Sequence, residues 1–118
     1  MEILQPEQQV MVAALKVRAA RAELLAGNVA NADTPGYMAR DIKFDDALKQ
    51  LVDHGDDAQS TTSSLETTLA RENLGVDRND IDINEQLAKS YENSLSYVAT
   101  LKLYGDSMGR LKSATASS

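Results

Sequence analysis

The stretch from Asn28 to Tyr37, which reads Asn-Val-Ala-Asn-Ala-Asp-Thr-Pro-Gly-Tyr, constrains the fold of this chain most strongly. Pro35 fixes its own φ angle and pushes Thr34 out of the helical region, so a helix that arrives from the N-terminal side must stop here. Residues 34–37 suit a type II turn, because proline is favoured at its second position and Gly36 supplies the positive φ of the third.

The polar and aromatic side chains around this turn predict how it is held. Asn28, Asn31 and Asp33 are placed to hydrogen-bond the backbone groups that become free where the helix ends. Tyr37 offers a large apolar ring with a polar tip, and we expect it to pin the turn onto a neighbouring element. We therefore predict a turn motif over residues 31–37.

The segment before the turn, residues 6–30, predicts one amphipathic helix. Pro6 suits the first helical position. The larger apolar side chains, Val10, Val17 and Leu24, recur every seven residues and lie among alanines. This spacing indicates a narrow stripe of the coiled-coil type, against which another helix could pack closely.

Residues 82–112 predict a second, longer helix that begins at Asp82 or Asn84, of which Asn84 is a fair N-cap. One row of its side chains steps by four and three for three heptads, and we expect most of this row to pack on the first helix. The members of this row are Leu87, Tyr91, Ser94, Val98, Leu101, Gly105 and Met108.

A second row on the same helix recurs every seven residues and contains two tyrosines. Its members are Ile83, Ser90, Tyr97, Tyr104 and Leu111. Together the two rows are wider than one partner helix can cover. Since tyrosine is enriched at protein interfaces, the surplus indicates contacts with other subunits.

The middle of the chain, residues 38–80, predicts irregular structure. Residues 41–44 alternate polar and apolar as a short extended segment would, whereas residues 45–51 favour one or two helical turns. Residues 53–80 are polar and poor in bulky groups, which indicates disorder in the isolated chain or a long exposed loop. The fold class predicted is mainly α, one domain over residues 1–118, in which the terminal helices form a coiled-coil-like antiparallel pair.

Composition excludes several functions. The 118 residues carry a formal net charge of −6, which disfavours nucleic-acid binding, and we expect Lys16, Arg18 and Arg21 to form a solvated face. There is no cysteine for a disulfide, a thiolate metal site or a nucleophile. No apolar run is long enough for a membrane span, and no secretory signal is recognisable.

The sequence offers no catalytic constellation. His54 is the only histidine and lies among Asp53, Asp56 and Asp57, where a solvated side chain is far commoner than a metal ligand. We therefore expect no enzyme activity, no cofactor, no metal and no small-molecule substrate.

One stretch imitates the start of a calcium loop. Residues 80–84 match its first five positions, but Glu85 replaces the sixth-position glycine and Tyr91 the twelfth-position glutamate. We interpret the stretch as a helix entry. Two functions stay open on the residues alone: a structural subunit of a helical assembly, and a small cytoplasmic helical adaptor or export chaperone.

Residues 24–41 closely resemble the N-terminal motif of bacterial flagellar rod, hook and hook-associated proteins. Residues 79–85, Asn-Asp-Ile-Asp-Ile-Asn-Glu, are similar to that family's lead into its last helix. The short middle and the Ala-Arg-Asp step at residues 39–41 most resemble the flagellar basal-body rod proteins of the proximal rod. The residues that carry the family motif are Asn28, Ala30, Asn31, Thr34, Pro35, Gly36 and Tyr37.

The resemblance implies a structural subunit of the proximal rod that helps to transmit torque from motor to hook. It implies export through the flagellar export apparatus without a cleaved signal peptide, and assembly in the periplasm with the MS ring, the rod adaptor FliE, other rod proteins and further copies of itself. The terminal helices would carry these contacts. The predicted interface residues are Val10, Val17, Leu24, Leu87, Tyr91, Tyr97, Val98, Leu101, Tyr104 and Met108.

Overall fold

A computed structural model describes residues 5–54 and 82–116, which form three helices. They are α1 (Pro6–Ala30), α2 (Phe44–His54) and α3 (Ile83–Ala116). The two terminal helices pack against each other, and their bonded partners run in opposite directions along the two helices, from Gln8 with Ser107 to Asn28 with Gln86. The predicted fold class is thereby confirmed.

The N-terminal helix begins and ends as the sequence predicts. Pro6 occupies the start of α1, and the Gln8 side chain accepts a hydrogen bond from the Gln5 amide at 2.8 Å. After Ala30 the backbone turns, the Tyr37 amide donates to the Thr34 carbonyl at 3.2 Å, and Gly36 has a φ of 78°. The predicted turn is confirmed, including the positive φ for which glycine is required.

The helix α2 is longer than the one or two turns that residues 45–51 predicted. It has 11 residues and two aspartates in its first turn, where negative charge is favoured by the helix dipole. Phe44, which we expected in an extended segment, starts this helix. Residues 38–43 have neither helical nor strand structure.

The apolar core lies between α1 and α2. Val17 is fully buried there, and the amphipathic pattern of α2 supplies its apolar side chains at three- and four-residue steps. The buried members of this core are Ala13, Val17, Ile42, Ala47 and Leu51, with Ala20, Leu24, Phe44 and Leu48 packed around them. Val17 and Leu24 of the α1 stripe thus pack in a core with α2, whereas Val10 is 40% exposed.

The helix α3 is capped at one of its two predicted starts and ends later than predicted. Its cap is Asp82, whose Oδ1 accepts hydrogen bonds from the amides of Asn84 and Glu85 at 3.0 and 3.3 Å. Of the two predicted starts, the structure selects Asp82 and not Asn84, because the carboxylate immediately before the first helical residue reaches both free amides. The helix continues four residues past Lys112, and Thr115 donates to carbonyls of its last turns.

Several sequence predictions fall outside the described residues. They include the side chain of His54, the neighbouring Asp56 and Asp57, the first two residues of the calcium-like stretch and the disorder or long loop expected over most of residues 53–80. Within the parts of the chain that the structure describes, no helix is both long and apolar enough to cross a membrane.

Candidate functional site

Asn28 is the central residue of the turn motif. It is 1% exposed and its side chain makes four hydrogen bonds. Its Nδ2 donates to the Arg40 carbonyl at 2.6 Å and to Gln86 Oε1 at 2.9 Å, and its Oδ1 accepts from the Arg40 amide at 3.0 Å and from Tyr37 Oη at 3.4 Å. One amide therefore joins the end of α1, the turn, the following segment and the start of α3.

This arrangement corrects one expectation and supports another. Asn28 was expected to satisfy groups at the end of its own helix, but it binds the backbone of residue 40 instead. Asn31 takes the predicted role, since its Nδ2 donates to the Gly27 carbonyl at 2.9 Å. The Tyr37 hydroxyl lies over α1, 3.6 Å from the position that a Cβ on Gly27 would occupy.

The tip of the turn is exposed. Thr34, Pro35 and Gly36 all lie at the surface, as does Ala30 at the helix end. The Thr34 hydroxyl donates to Asn31 Oδ1 at 3.2 Å, so the tip is fixed locally and not by packing. The motif thus has a buried inner part, Asn28 with Tyr37, and a surface part.

A charged cluster adjoins this hub. Asp41 accepts a bidentate pair from Arg21, Nε to Oδ1 at 2.7 Å and Nη2 to Oδ2 at 3.0 Å, and Lys89 Nζ on α3 lies 3.8 Å from Oδ2. Burial raises the pKa of Asp41, but the bonds from Arg21 and the Ile42 amide, together with both positive charges, lower the pKa below its ordinary value. The bond to Asp41 raises the pKa of Arg21.

Arg18 and Arg21 therefore do not belong to the solvated face that the sequence predicted for the basic residues of α1. Arg18 lies over the ring of Phe44, with its guanidinium carbon 4.1 Å from the ring centroid, and burial lowers its pKa. Arg21 is bonded to Asp41, 20 residues further along the chain. Both contacts depend on where α2 and the preceding segment return to α1, which helical periodicity does not reveal.

A row of polar side chains on α3 faces α1. We call it the polar row; its members, seven residues apart, are Gln86, Asn93, Thr100 and Ser107. All are buried except Thr100, which is half-buried. Apolar periodicity alone does not reveal this row, although the seven-residue spacing of its polar side chains is visible in the sequence.

Each buried member of the polar row bonds to α1. Gln86 accepts from Asn28, Asn93 Nδ2 donates to the Arg18 carbonyl at 2.9 Å, and Ser107 accepts from Gln8 Nε2 at 2.9 Å. Ser107 also donates to Glu7 at 3.3 Å. These contacts are spread over most of the length of α1.

The apolar row that steps by four and three along α3 lies beside the contact with α1, about 100° around the helix from the polar row, and all of it except half-buried Met108 is exposed. We call it the outer row: Leu87, Tyr91, Ser94, Val98, Leu101, Gly105 and Met108. Tyr91 is 68% exposed, Val98 62% and Leu101 46%. The expectation that this row packs mainly on the first helix was wrong, because the polar row occupies that contact. Among the described residues, no buried apolar side chain lies on α3.

The predicted interface residues thus occupy different environments. Val17 is buried in the core and Leu24 packs around it, whereas Val10 is 40% exposed. Tyr97, Tyr104 and Met108 are half-buried, and the remaining members, Leu87, Tyr91, Val98 and Leu101, are exposed.

The described part of the chain offers contact surfaces and hydrogen-bonded links between helices. Over residues 5–54 and 82–116, no three histidine, cysteine, aspartate or glutamate side chains come together as a metal site would need. What this arrangement supports is binding between helices.

Comparison with known proteins shows the family. No protein-family model matches the chain. It is 34% identical over 110 residues to the flagellar basal body rod protein FlgB of Aeromonas hydrophila, covering 83% of each chain. It is 35% identical over 106 residues to that of Escherichia coli (strain K12), covering 75% of this chain and 77% of the relative. The match to the Salmonella typhimurium protein is 34% over 113 residues, covering 80% and 82%. This chain therefore belongs to the family of the flagellar basal body rod protein FlgB and is a structural protein of the flagellar basal body rod.

Proposed function

We propose that this chain is a subunit of the proximal rod that assembles through its terminal helices and helps to transmit torque from motor to hook. It is exported without a cleaved signal peptide and assembles in the periplasm. Its neighbours there are further copies of itself, other rod proteins, the adaptor FliE and the MS ring. Membership of the family and the surface of α3 support this proposal.

The exposed outer row is the observation that carries the proposal. A row that steps by four and three for three heptads has the spacing that packs against another helix. A contiguous apolar surface that the described residues leave exposed is typical of an interaction site. In the second row of α3, which borders the outer row, Tyr97 and Tyr104 are half-buried and Ile83 is 42% exposed. A neighbouring helix on the outer row would bury the side chains that the monomer exposes.

The links between the elements suit a subunit that bears load. Asn28 and the Arg21–Asp41 pair fasten the turn and the following segment to α1, and Gln86 and Lys89 extend the attachment to α3. Because buried hydrogen bonds and a bidentate ion pair are directional, they resist sliding of one helix along another more than apolar packing alone does.

Leu101→Asp tests the interface role. Leu101 is already 46% exposed, so the carboxylate can reach water and the isolated subunit should keep its helicity. A charge in the outer row should nevertheless block rod assembly, because it would be buried without a partner at the contact. We expect the variant, expressed in cells that lack the native subunit, to be exported but to yield neither basal-body rods nor swimming.

Leu103→Asp is the matched control. Leu103 lies on the same helix and is 57% exposed, but it does not belong to the outer row. We expect it to keep assembly. Equal swimming in both variants would contradict the assignment of the outer row as the interface.

The cellular location and partners form the second test. The purified chain should bind FliE or another rod protein, and fractionation should find it in the periplasm and in isolated basal bodies. A protein that stays in the cytoplasm, while basal bodies without it are complete, would favour the adaptor or chaperone function instead.

A further inference from the structure

We infer that the polar row of α3 selects the rotation of α3 about its own axis when it docks on α1. The polar row thereby keeps the outer row out of the contact with α1. The inference concerns packing within one chain. It does not depend on the proposed function, and the test below measures docking without any assembly.

A second rotation of α3 competes with the observed one. Members of the polar row are followed directly by members of the outer row: Gln86 by Leu87, Thr100 by Leu101, and Ser107 by Met108. Because an α-helix advances by about 100° per residue, turning α3 through that angle would place the outer row against α1. The polar row would then move to the exposed positions that Glu85, Glu92, Ala99 and Asp106 now occupy. Apolar burial favours this rotation, since two leucines and a methionine would become more buried in place of polar groups.

Hydrogen bonds at separate points along α1 oppose this rotation of α3. Gln8 and Asn28 on α1 are 2% and 1% exposed and are bonded to Ser107 and Gln86. In the rotated arrangement both would face apolar side chains, and a buried polar group that loses its partner costs more than its bond contributed. Buried polar pairs of this kind fix register and orientation in other helix pairs.

The environment of Asn93 indicates that the polar row selects the rotation of α3 more than it stabilises the folded chain. Its Nδ2 donates to the Arg18 carbonyl, but its Oδ1 is buried and has no hydrogen-bond partner among the described residues. The Arg18 Nε is also buried and has no hydrogen-bond partner among the described residues. An apolar side chain at position 93 would avoid that desolvation penalty, so stability alone does not account for the asparagine.

The absence of cysteine from the sequence makes the rotation measurable. Single cysteines are introduced into the full-length protein at Leu101, in the outer row, or at Ser107, in the polar row, and their reaction rates with a maleimide are compared. In the native background the cysteine at position 101 should react faster, because Leu101 is half exposed and Ser107 is buried. In the Gln86→Ala/Asn93→Ala background the ratio of the two rates should invert.

Two further variants test the cause of the inverted rate ratio. Asn84→Ala/Lys112→Ala, which removes two exposed polar side chains from the same helix, should leave the rate ratio unchanged. Adding Leu87→Ala/Met108→Ala to the polar-row variant removes the apolar side chains that drive the rotation, and should restore the native ratio at positions 101 and 107.

The alternative outcomes overturn the inference. If position 101 remains faster after Gln86→Ala/Asn93→Ala, packing alone selects the rotation. If both cysteines become reactive, α3 has left α1, and the polar row supplies attachment without choosing between rotations. Circular dichroism of each variant shows which case applies.

Discussion

Replacing Asn28 with alanine should cost more stability than any other single change in the turn motif. The substitution removes three hydrogen bonds of 2.6 to 3.0 Å, two to the Arg40 backbone and one to Gln86, and a longer one to Tyr37 at 3.4 Å. At about 1 kcal/mol net for each short bond, the loss comes to about 3 kcal/mol. This is a large part of the roughly 5–15 kcal/mol that stabilises a typical domain.

Urea unfolding of the full chain, followed by far-ultraviolet circular dichroism, measures this loss. Asn31→Ala is the matched control, because Asn31 is half-buried and only its bond to Gly27 caps the helix. Its cost should be about 1 kcal/mol. A double-mutant cycle of Asn28→Ala with Gln86→Ala isolates the link to α3, for which we expect a coupling of about 1 kcal/mol. The hub role of Asn28 is refuted if the two asparagine variants lose equal stability.

Asp41→Asn should remove about 1–2 kcal/mol at neutral pH, because it breaks the pair with Arg21. Since the folded pKa of Asp41 is lowered, the stabilisation is present above its unfolded pKa of about 3.9 and is lost as pH falls through the folded value. The acid side of a stability–pH profile should therefore be flatter in the variant. Gly36→Ala should cost about 1 kcal/mol because of its φ of 78°, whereas Gly105→Ala, with open space around the added Cβ, should raise the midpoint of thermal unfolding of the free subunit. Val17→Asp should abolish helicity and unfold the subunit, since it buries an unpaired charge in the core, and so should differ from Leu101→Asp in circular dichroism.

The parts of the fold set by neighbouring residues could be predicted from the sequence. Pro35 and Gly36 determine the turn through their own backbone preferences, and Pro6 marks the start of α1 for the same reason. Local sequence preferences also predicted that α2 is helical but did not predict its length, because the alternation at residues 41–44 indicated an extended segment as far as Phe44.

The parts set by distant residues could not be predicted in this way. Arg21 bonds to Asp41 only because the turn brings the following segment back to α1. Apolar periodicity does not indicate which of the two rows on α3 contacts α1. The outer row has the better apolar pattern and is nevertheless exposed, because the partners that α1 offers at that contact are polar. Hydrophobic spacing therefore predicted the helix α3 but indicated the outer row, and not the polar row, as its contact with α1.

The family motif and the orientation of α3 are linked through Asn28. The turn requires only a proline, a glycine and a local cap from Asn31, and none of these explains a second asparagine buried three residues earlier. The Asn28 side chain also hydrogen-bonds α3, through Gln86, the first member of the polar row. The position of the turn and the facing of α3 are thus coupled by one amide, since moving either element breaks bonds to the same side chain. Under the interface role that we propose for the outer row, this coupling would let the turn motif after α1 determine which surface α3 presents to neighbouring subunits.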